Sequence, residues 1–268
     1  EGSAKVTAEC ISNLQTIMMK ENAEVTVENP SGTAISGNRG IEISGNAQVN
    51  AIGTTGGLNA FAGPITINST QKTVAKATDT TRTYAAISMG QSSDGRYPLT
   101  SNSNGEVAGA VGIGSSQGTI TIDGGTLTTD VTYAGIINST SAQDCDINCK
   151  DANVIVKGTG TAGIHAPNGT VCIENSTVTV QATSYAYSAM PSLNYPVSYK
   201  VTAGEDSESA VVIPNGDLKV DSFQNKYVKI EPLAMILVES MTLNQTELPL
   251  TPGETSALTA TVAPDNAT

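Results

Sequence analysis

An apolar residue recurs along the chain about once every 26 residues, and an alanine or glycine usually stands directly before it. A fixed period of about 20 to 50 residues is typical of repeat proteins, in which each repeat packs only on its neighbours. We call these positions the first series. They are Ile35, Phe61, Ile87, Ile113, Ile136, Ile164 and Met190, preceded by Ala34, Ala60, Ala86, Gly112, Gly135, Gly163 and Ala189.

Two more series follow in the same order within each repeat. The second is an apolar-x-apolar pair: Ile17/Met19, Ile41/Ile43, Ile65/Ile67, Ile120/Ile122, Ile147/Cys149, Val171/Ile173 and, less regularly, Val197/Tyr199. The third is a single apolar residue a few positions later: Val25, Val49, Val74, Leu127, Val154 and Val178. Turn-forming stretches such as Asp123–Thr126 separate the second series from the third.

This phasing predicts three short strands per repeat, with alternate side chains pointing inward. One repeat cannot bury its apolar side chains alone, but repeats stacked about 4.8 Å apart bury them in continuous columns. We therefore predict an all-β protein, a right-handed parallel β-helix of about seven to eight coils with about 25 residues in each. The leucine-rich repeat consensus is absent, and a β-sandwich would not keep three phased series.

One repeat is irregular, because the second series skips from Ile67 to Ile120. The intervening segment around residues 91–110 is polar and rich in turn formers. It is either a degenerate coil or a loop that protrudes from the helix, and protruding loops of solenoids often carry binding residues. Arg96 and Tyr97 in this segment are therefore candidate ligand contacts.

The ends of a β-helix need covering, since they expose apolar side chains and unpaired strand edges. We expect Ala4–Leu14 to form an N-terminal cap. Three apolar stretches would complete the last turn: Val211–Ile213, Leu218–Val220 and Val228–Ile230. A boundary near Glu231 and Pro232 then divides the chain into a repeat domain, residues 1–231, and a tail, residues 232–268.

The tail has a different pattern. Residues 244–250 read Asn-x-Thr-x-Leu-x-Leu, followed by Gly253-Glu254-Thr255, the strand Leu258–Val262 and a final Pro-x-Asn-Ala-Thr. This closely resembles the first strands of group 2 bacterial Ig-like domains, which recur in surface proteins and adhesins. The resemblance implies a bacterial protein that is secreted or displayed at the cell surface, with further Ig-like domains in the full-length chain. A half module cannot bury its inner face, so we expect the tail to be mobile or held against another surface.

Charge and composition limit the partners. The formal net charge is −12 and the chain has only three arginines, so nucleic acid is not an expected partner. No apolar run approaches the roughly 20 residues of a membrane-spanning helix, and we predict no membrane insertion. The four cysteines show neither zinc nor redox spacing. We expect unpaired thiols, with Cys149 inside the core.

Many parallel β-helices cleave polysaccharides, and their hydrolases use paired carboxylates. The outward position after the second series holds Ser44, Asn68, Asp123, Lys150 and Glu174. Lys150 would lie between the two carboxylates and neutralise both, which favours a surface charge ladder over a catalytic pair. His165 is predicted to point outward, and the spacing of Asp144, Asp146 and Asp151 does not match a calcium loop. No catalytic residue, metal or cofactor is predicted.

Tyr84, Tyr133 and Tyr187 each precede a first-series residue by three positions. Equivalent positions stack along one face of a β-helix, so three exposed rings in line would hold a glycan by stacking on its apolar faces. The alternative is that the rings fill a corner of the core. The expected function is a non-catalytic surface module for adhesion or carbohydrate binding; a polysaccharide lyase or glycoside hydrolase and a structural spacer are the alternatives.

Overall fold

The computed structural model describes residues 3–81, 84–89, 99–101, 105–115, 119–138, 145–158, 162–167, 169–193, 198–233, 240–244, 247, 253, 255–257 and 259–263. Nearly all regular structure is β, arranged in sheets of 17, eight and two strands. A 3-10 turn spans Asn215–Asp217, and one helical turn, α1, spans Val220–Phe223. In the described part of the chain, no helix is long and apolar enough to cross a membrane.

In chain order the first half contains β1 (Lys5–Ala8), β2 (Ile11–Asn13), β3 (Ile17–Met19), β4 (Glu24–Asn29), β5 (Thr33–Gly37), β6 (Ile41–Gly45), β7 (Gln48–Gly53), β8 (Gly56–Ala60), β9 (Ile65–Ser69), β10 (Thr73–Ala77), β11 (Ala85–Met89), β12 (Leu99–Ser101), β13 (Gly105–Ser115), β14 (Ile120–Asp123) and β15 (Thr126–Asn138). The second half contains β16 (Cys145–Lys150), β17 (Asn153–Gly158), β18 (Ala162–His165), β19 (Thr170–Glu174), β20 (Thr177–Gln181), β21 (Tyr185–Tyr187), β22 (Ser192–Leu193), β23 (Tyr199–Gly204), β24 (Val211–Ile213), β25 (Tyr227–Pro232), β26 (Ser240–Leu243) and β27 (Ala260–Ala263).

The eight-stranded sheet is the second series, stacked in parallel in the order β3-β6-β9-β12-β14-β16-β19-β22. Its inward residues form one register column, and those whose side chains are described are buried. The column runs through Ile17, Ile41, Ile65, Leu99, Ile120, Ile147 and Val171. Like side chains therefore lie on like, and the predicted parallel β-helix is confirmed.

The irregular segment contributes a coil. Strand β12 pairs in parallel with β9 on one side and with β14 on the other. Leu99 occupies the register position that the second series lacks, which confirms the degenerate coil for residues 99–101. Residues 90–98 and 102–104, including Arg96 and Tyr97, lie outside the described residues.

The 17-stranded sheet holds the other two stacks, which are continuous because β13 and β15 pass through both. The first series runs in register through Ile35, Leu58, Ile87, Ile113, Ile136, Ile164 and Tyr187. Two residues that the sequence predicts in this series do not belong to it. Phe61 is 57% exposed and Met190 is 43% exposed, and the residues three positions earlier, Leu58 and Tyr187, take their places.

The register error has a physical cause. Gly57-Leu58 and Ala186-Tyr187 satisfy the small-then-apolar pattern as well as Ala60-Phe61 and Ala189-Met190 do. At the first of these pairs, the neighbouring coils leave no space for a side chain on the small residue. A Cβ on Gly57 would lie 2.6 Å from the Ala51 carbonyl oxygen and 2.8 Å from the Lys76 nitrogen, so only glycine fits there.

The third series is in register through Val25, Val49, Thr73, Gly105, Leu127, Val154 and Val178. Val74 was predicted in this column and lies one residue out of it, half-buried. Thr73 therefore faces the core, and its hydroxyl is buried without a hydrogen-bond partner. Beside it, the missing side chain of Gly105 leaves a cavity of about 10 Å³. Its other walls are apolar, so it offers a water molecule too few polar partners.

The C-terminal end closes with a change of strand direction. Strand β25 pairs antiparallel with β20 and with β23, and β24 pairs antiparallel with β23. Tyr199 therefore belongs to this antiparallel group, and its predicted place in the second series is wrong. Leu218–Val220 is not a strand but leads into α1. That helical turn buries Phe223, whose ring meets the edge of Tyr187 at 6.1 Å between centroids.

The N-terminal residues join the helix as a coil rather than forming a separate cap. Strand β1 pairs in parallel with β4, and β2 pairs in parallel with β5. Val6 and Leu14 in this first coil are 40% and 77% exposed. In the tail, β26 and β27 form an antiparallel pair, with Met241 in register with Val262 and 64% exposed.

The cysteines differ in state. Cys149 is buried in register with Ile122 and Ile173, as predicted. Burial raises the pKa of its thiol to about 12. Cys10 is an exposed free thiol. Cys172, in contrast, is disulfide-bonded, so the expectation of unpaired thiols is wrong for this residue. Spacing along one strand does not reveal such bonds, because stacked strands bring distant residues within disulfide range.

Replacing Gly57 by alanine is expected to destabilise the fold by about 1 to 3 kcal/mol, since the new methyl group would press on backbone atoms that cannot move aside. Urea denaturation followed by circular dichroism measures the change. Gly216→Ala is the matched control because nothing lies within 4 Å of a Cβ there, and its effect should stay within about 0.5 kcal/mol. Equal stability of the two variants would contradict the register.

Thr73→Val is expected to raise the free energy of unfolding by about 1 kcal/mol, because it removes a buried hydroxyl without a partner and keeps the side-chain shape. Thr66→Val is the control, since Thr66 lies on the half-exposed outer face of β9. It should change stability by less than about 0.5 kcal/mol. A loss of stability in Thr73→Val would show that the hydroxyl is hydrogen-bonded.

Thiol labelling checks the cysteine states. Of the three cysteines whose side chains are described, only Cys10 should react quickly in the native protein, because Cys149 is buried with a pKa of about 12 and Cys172 is disulfide-bonded. Denaturation without reductant should expose Cys149 to the reagent, and reductant should be needed before Cys172 reacts. Cys10→Ser removes the label at residue 10 and serves as the control. Labelling of Cys172 without reductant would contradict the disulfide.

Candidate functional site

A groove of about 450 Å³ lies on the outer face of the stack that carries the first series. Its side chains come from four consecutive coils. Tyr84 and Tyr133 line it together with the buried residues Met89 and Val111, and its remaining lining includes Thr55, Ser88, Gly114 and Ile137. We call this the tyrosine groove.

The repeat itself aligns the groove. Thr55, Tyr84 and Tyr133 each stand three residues before a first-series column residue. The carbonyl oxygen of Tyr84 accepts a hydrogen bond from the amide of Val111 at 3.0 Å, which fixes Tyr84 one coil away from β13. Strand β15, with Tyr133, is the next coil. The two tyrosines are therefore two strand spacings apart, about 9.6 Å along the helix axis.

The two rings differ in how firmly they are held. Tyr84 is half-buried and packs against the hydrophobic core, whereas Tyr133 is 41% exposed. Both are on strands or at their starts within a stacked scaffold, so the spacing between them is set by the backbone. A rigid aromatic surface of this kind binds with little loss of conformational freedom.

Tyr187 does not belong to this surface, and its prediction as a ligand contact is wrong. It is fully buried in register with Ile164 and packs on Phe223. Burial raises the pKa of its phenol well above the usual value, and its hydroxyl is buried without a partner. Tyr187 therefore fills part of the core, as the alternative interpretation of the sequence predicts, while Tyr84 and Tyr133 line a surface groove. The other two candidates, Arg96 and Tyr97, lie outside the described residues.

Gly114 opens the groove, and sequence reasoning missed it. The outward column beside the first series runs Asn59, Ser88, Gly114, Ile137 and His165. Ser88 donates a hydrogen bond to the Asn59 side-chain oxygen at 3.0 Å. Between Ser88 and Ile137, Gly114 contributes no side chain. The sequence does contain a signal for this position, because a glycine stands at a strand position where the neighbouring coils carry side chains.

The carboxylate column lies elsewhere, on the eight-stranded sheet. Asp123, Lys150 and Glu174 occupy consecutive coils in register, as predicted. The Lys150 ammonium lies 3.8 Å from the Glu174 carboxylate, and both side chains are exposed. An exposed pair of this kind contributes about 0 to 1 kcal/mol. The arrangement places a cation between the carboxylates, which suits a charge ladder better than paired acid–base chemistry.

His165 ends the outward column next to Ile137. It is half-buried, its Nδ1 has no hydrogen-bond partner, and its ring lies 6.4 Å from that of Tyr185. Burial lowers its pKa, so the ring is neutral at pH 7. Asp151 accepts a hydrogen bond from the Asn175 side chain at 2.6 Å. The side chains of Asp144 and Asp146 lie outside the described set, and among described residues no group of three metal-binding side chains occurs.

A second, larger groove of about 750 Å³ lies near the N-terminal coils. Its lining includes Thr7, Glu9, Glu28, Ile52 and Thr78. The residues described there include two acidic side chains and no aromatic ring. The tyrosine groove is therefore the stronger candidate for specific ligand binding, because aromatic rings supply most of the contact energy at such sites.

Comparisons with known proteins identify no relative: no family model, no curated protein and no solved structure matches the chain.

Proposed function

We propose that this protein is a non-catalytic module for carbohydrate binding or adhesion, secreted or displayed on a bacterial cell surface, and that the tyrosine groove is its binding site. One observation carries the proposal: Tyr84 and Tyr133 line an open groove two strand spacings apart on a rigid sheet. Pyranose rings present apolar C–H faces that stack on aromatic side chains.

The lining of the groove suits a sugar in composition. The rings supply apolar area, and hydroxyl groups of Thr55, Ser88 and the tyrosines supply donors and acceptors beside it. Sites that bind small organic ligands combine these two features, with apolar and aromatic walls and a few placed polar groups. Because the groove is set by stacked strands, the protein loses little entropy on binding.

Two observations support the surface location. Disulfides persist mainly in oxidising compartments such as the cell exterior, and Cys172 is disulfide-bonded. The tail resembles the opening strands of bacterial Ig-like domains, and β26 and β27 pair antiparallel, as strands of such a sandwich do. Further Ig-like domains in the full-length chain, and a host or cell-surface glycan as partner, are part of this proposal.

Substitution of either tyrosine is the direct test. In affinity electrophoresis through gels that contain soluble polysaccharides, the wild-type chain should be retarded by at least one polymer. Tyr133→Ala and Tyr84→Ala should each weaken that binding by about tenfold, since each loses a stacking surface worth about 1 to 2 kcal/mol. Phe61→Ala is the matched control, because Phe61 is an exposed aromatic residue outside the groove.

The same samples separate the alternatives. Binding that persists in both tyrosine variants would place the site elsewhere. Release of reducing ends by the wild-type chain, lost in Glu174→Gln, would identify a polysaccharide-cleaving enzyme instead. Failure to bind any polymer in the panel would leave a structural spacer.

A further inference from the structure

The strand glycines near the groove fall into two groups. A Cβ on Gly135 would lie 2.2 Å from Val156 Cγ1, and one on Gly163 would lie 2.0 Å from Val180 Cγ1. These two positions must stay small for the coils to pack. Gly114 differs, because its Cβ would meet only the Ala85 side chain at 3.1 Å and Val111 Cγ1 at 3.8 Å. The fold therefore accommodates a side chain at Gly114 with a small adjustment.

A side chain at this position would recover conformational entropy that glycine loses on folding, provided that the Ala85 methyl group moves by a few tenths of an ångström. A strand glycine loses more conformational entropy on folding than other residues do, and threonine suits a half-exposed strand better. Yet this position is the floor of the tyrosine groove, between Ser88 and Ile137 on the neighbouring coils. A side chain here would project into the groove from the row of Ser88 and Ile137, on the coil between those of Tyr84 and Tyr133, and would narrow the groove.

From this contrast we infer that Gly114 is the specificity-determining residue of the groove, and that the ligand is an extended, uncharged polysaccharide lying along the helix axis from Tyr84 to Tyr133. The inference rests on the proposed carbohydrate-binding function. The groove crosses four coils, so its long direction follows the stack of strands. A chain that follows this direction crosses the coil that carries Gly114, where a new side chain would narrow its path.

Charge favours an uncharged ligand. Among the described residues that line the groove, none carries a formal charge. The whole chain has a net charge of −12, which opposes the approach of a polyanion such as a uronic acid polymer. Stacking and neutral hydrogen bonds then supply the affinity. The binding should change less than about twofold between about 0.05 M and about 0.5 M salt, because screening acts on charged partners.

The test compares Gly114→Thr and Gly114→Ala with Gly216→Thr, a control at a site with nothing within 4 Å of a Cβ. The probes are an unbranched neutral glucan, the same backbone bearing side branches, and polygalacturonate. We expect wild type and Gly216→Thr to bind the unbranched glucan best. Gly114→Thr should lose about tenfold or more in affinity while its melting temperature stays equal or rises, and Gly114→Ala should fall between.

The outcomes are separable. Undiminished glucan binding by folded Gly114→Thr would overturn the inference, and so would a preference for polygalacturonate that depends on the tyrosines; both leave the carbohydrate-binding function standing. Binding that depends on neither tyrosine would overturn the proposed function itself. If Gly114→Thr does not fold, the glucan affinity of Gly114→Ala is the test instead. Unchanged affinity in that folded variant would overturn the role of Gly114.

Discussion

The structure depends on the burial of like aliphatic side chains between coils that are stacked about 4.8 Å apart. No coil has an interior of its own, and each aliphatic side chain in a column is buried by the side chains of the coils above and below it. A fully buried aliphatic side chain contributes about 1.5 to 3 kcal/mol, so the columns outweigh the weak contributions of the exposed ion pairs. The close approach of coils also explains why Gly57 and Gly163 have no side chain.

The same stacking determines what the outer surface can do. Side chains at equivalent positions on successive coils stand in rows with a fixed spacing, whatever their chemistry. One row places Lys150 beside Glu174, a second carries Tyr84 and Tyr133, and a third carries Gly114 between Ser88 and Ile137. The scaffold is thus indifferent to the outward residues, which leaves them available for recognition.

The strongest sequence signal came from the apolar-x-apolar pairs, whose two inward residues fix the strand face and the register together. The first series is defined by only one small and one apolar residue. In the coils of Leu58 and Tyr187 this weaker pattern fits two registers that differ by three residues. That shift moved Tyr187 from the predicted surface into the core. Tyr84 and Tyr133 were placed correctly in line because Ile87 and Ile136 had been identified correctly.

Other features depend on atoms that no linear pattern represents. Thr73 replaces Val74 in its column because strand β10 is aligned by its neighbours on both sides, and not by its own hydrophobicity. The role of Gly114 emerges only from the side chains on adjacent coils. The disulfide at Cys172 and the antiparallel pairing of β25 with β20 are likewise contacts that the linear pattern does not reveal.

In a stack of strands, two residues at equivalent positions are separated along the axis by a whole multiple of the strand spacing. The distance between Tyr84 and Tyr133 can change only in steps of about 4.8 Å, by gain or loss of an entire repeat such as the one that contains β13. Deletion or duplication of one repeat in evolution would leave its neighbours packed as before and would change the separation of the two tyrosines by one strand spacing. The separation of two side chains along this surface is therefore determined by the number of strands between them.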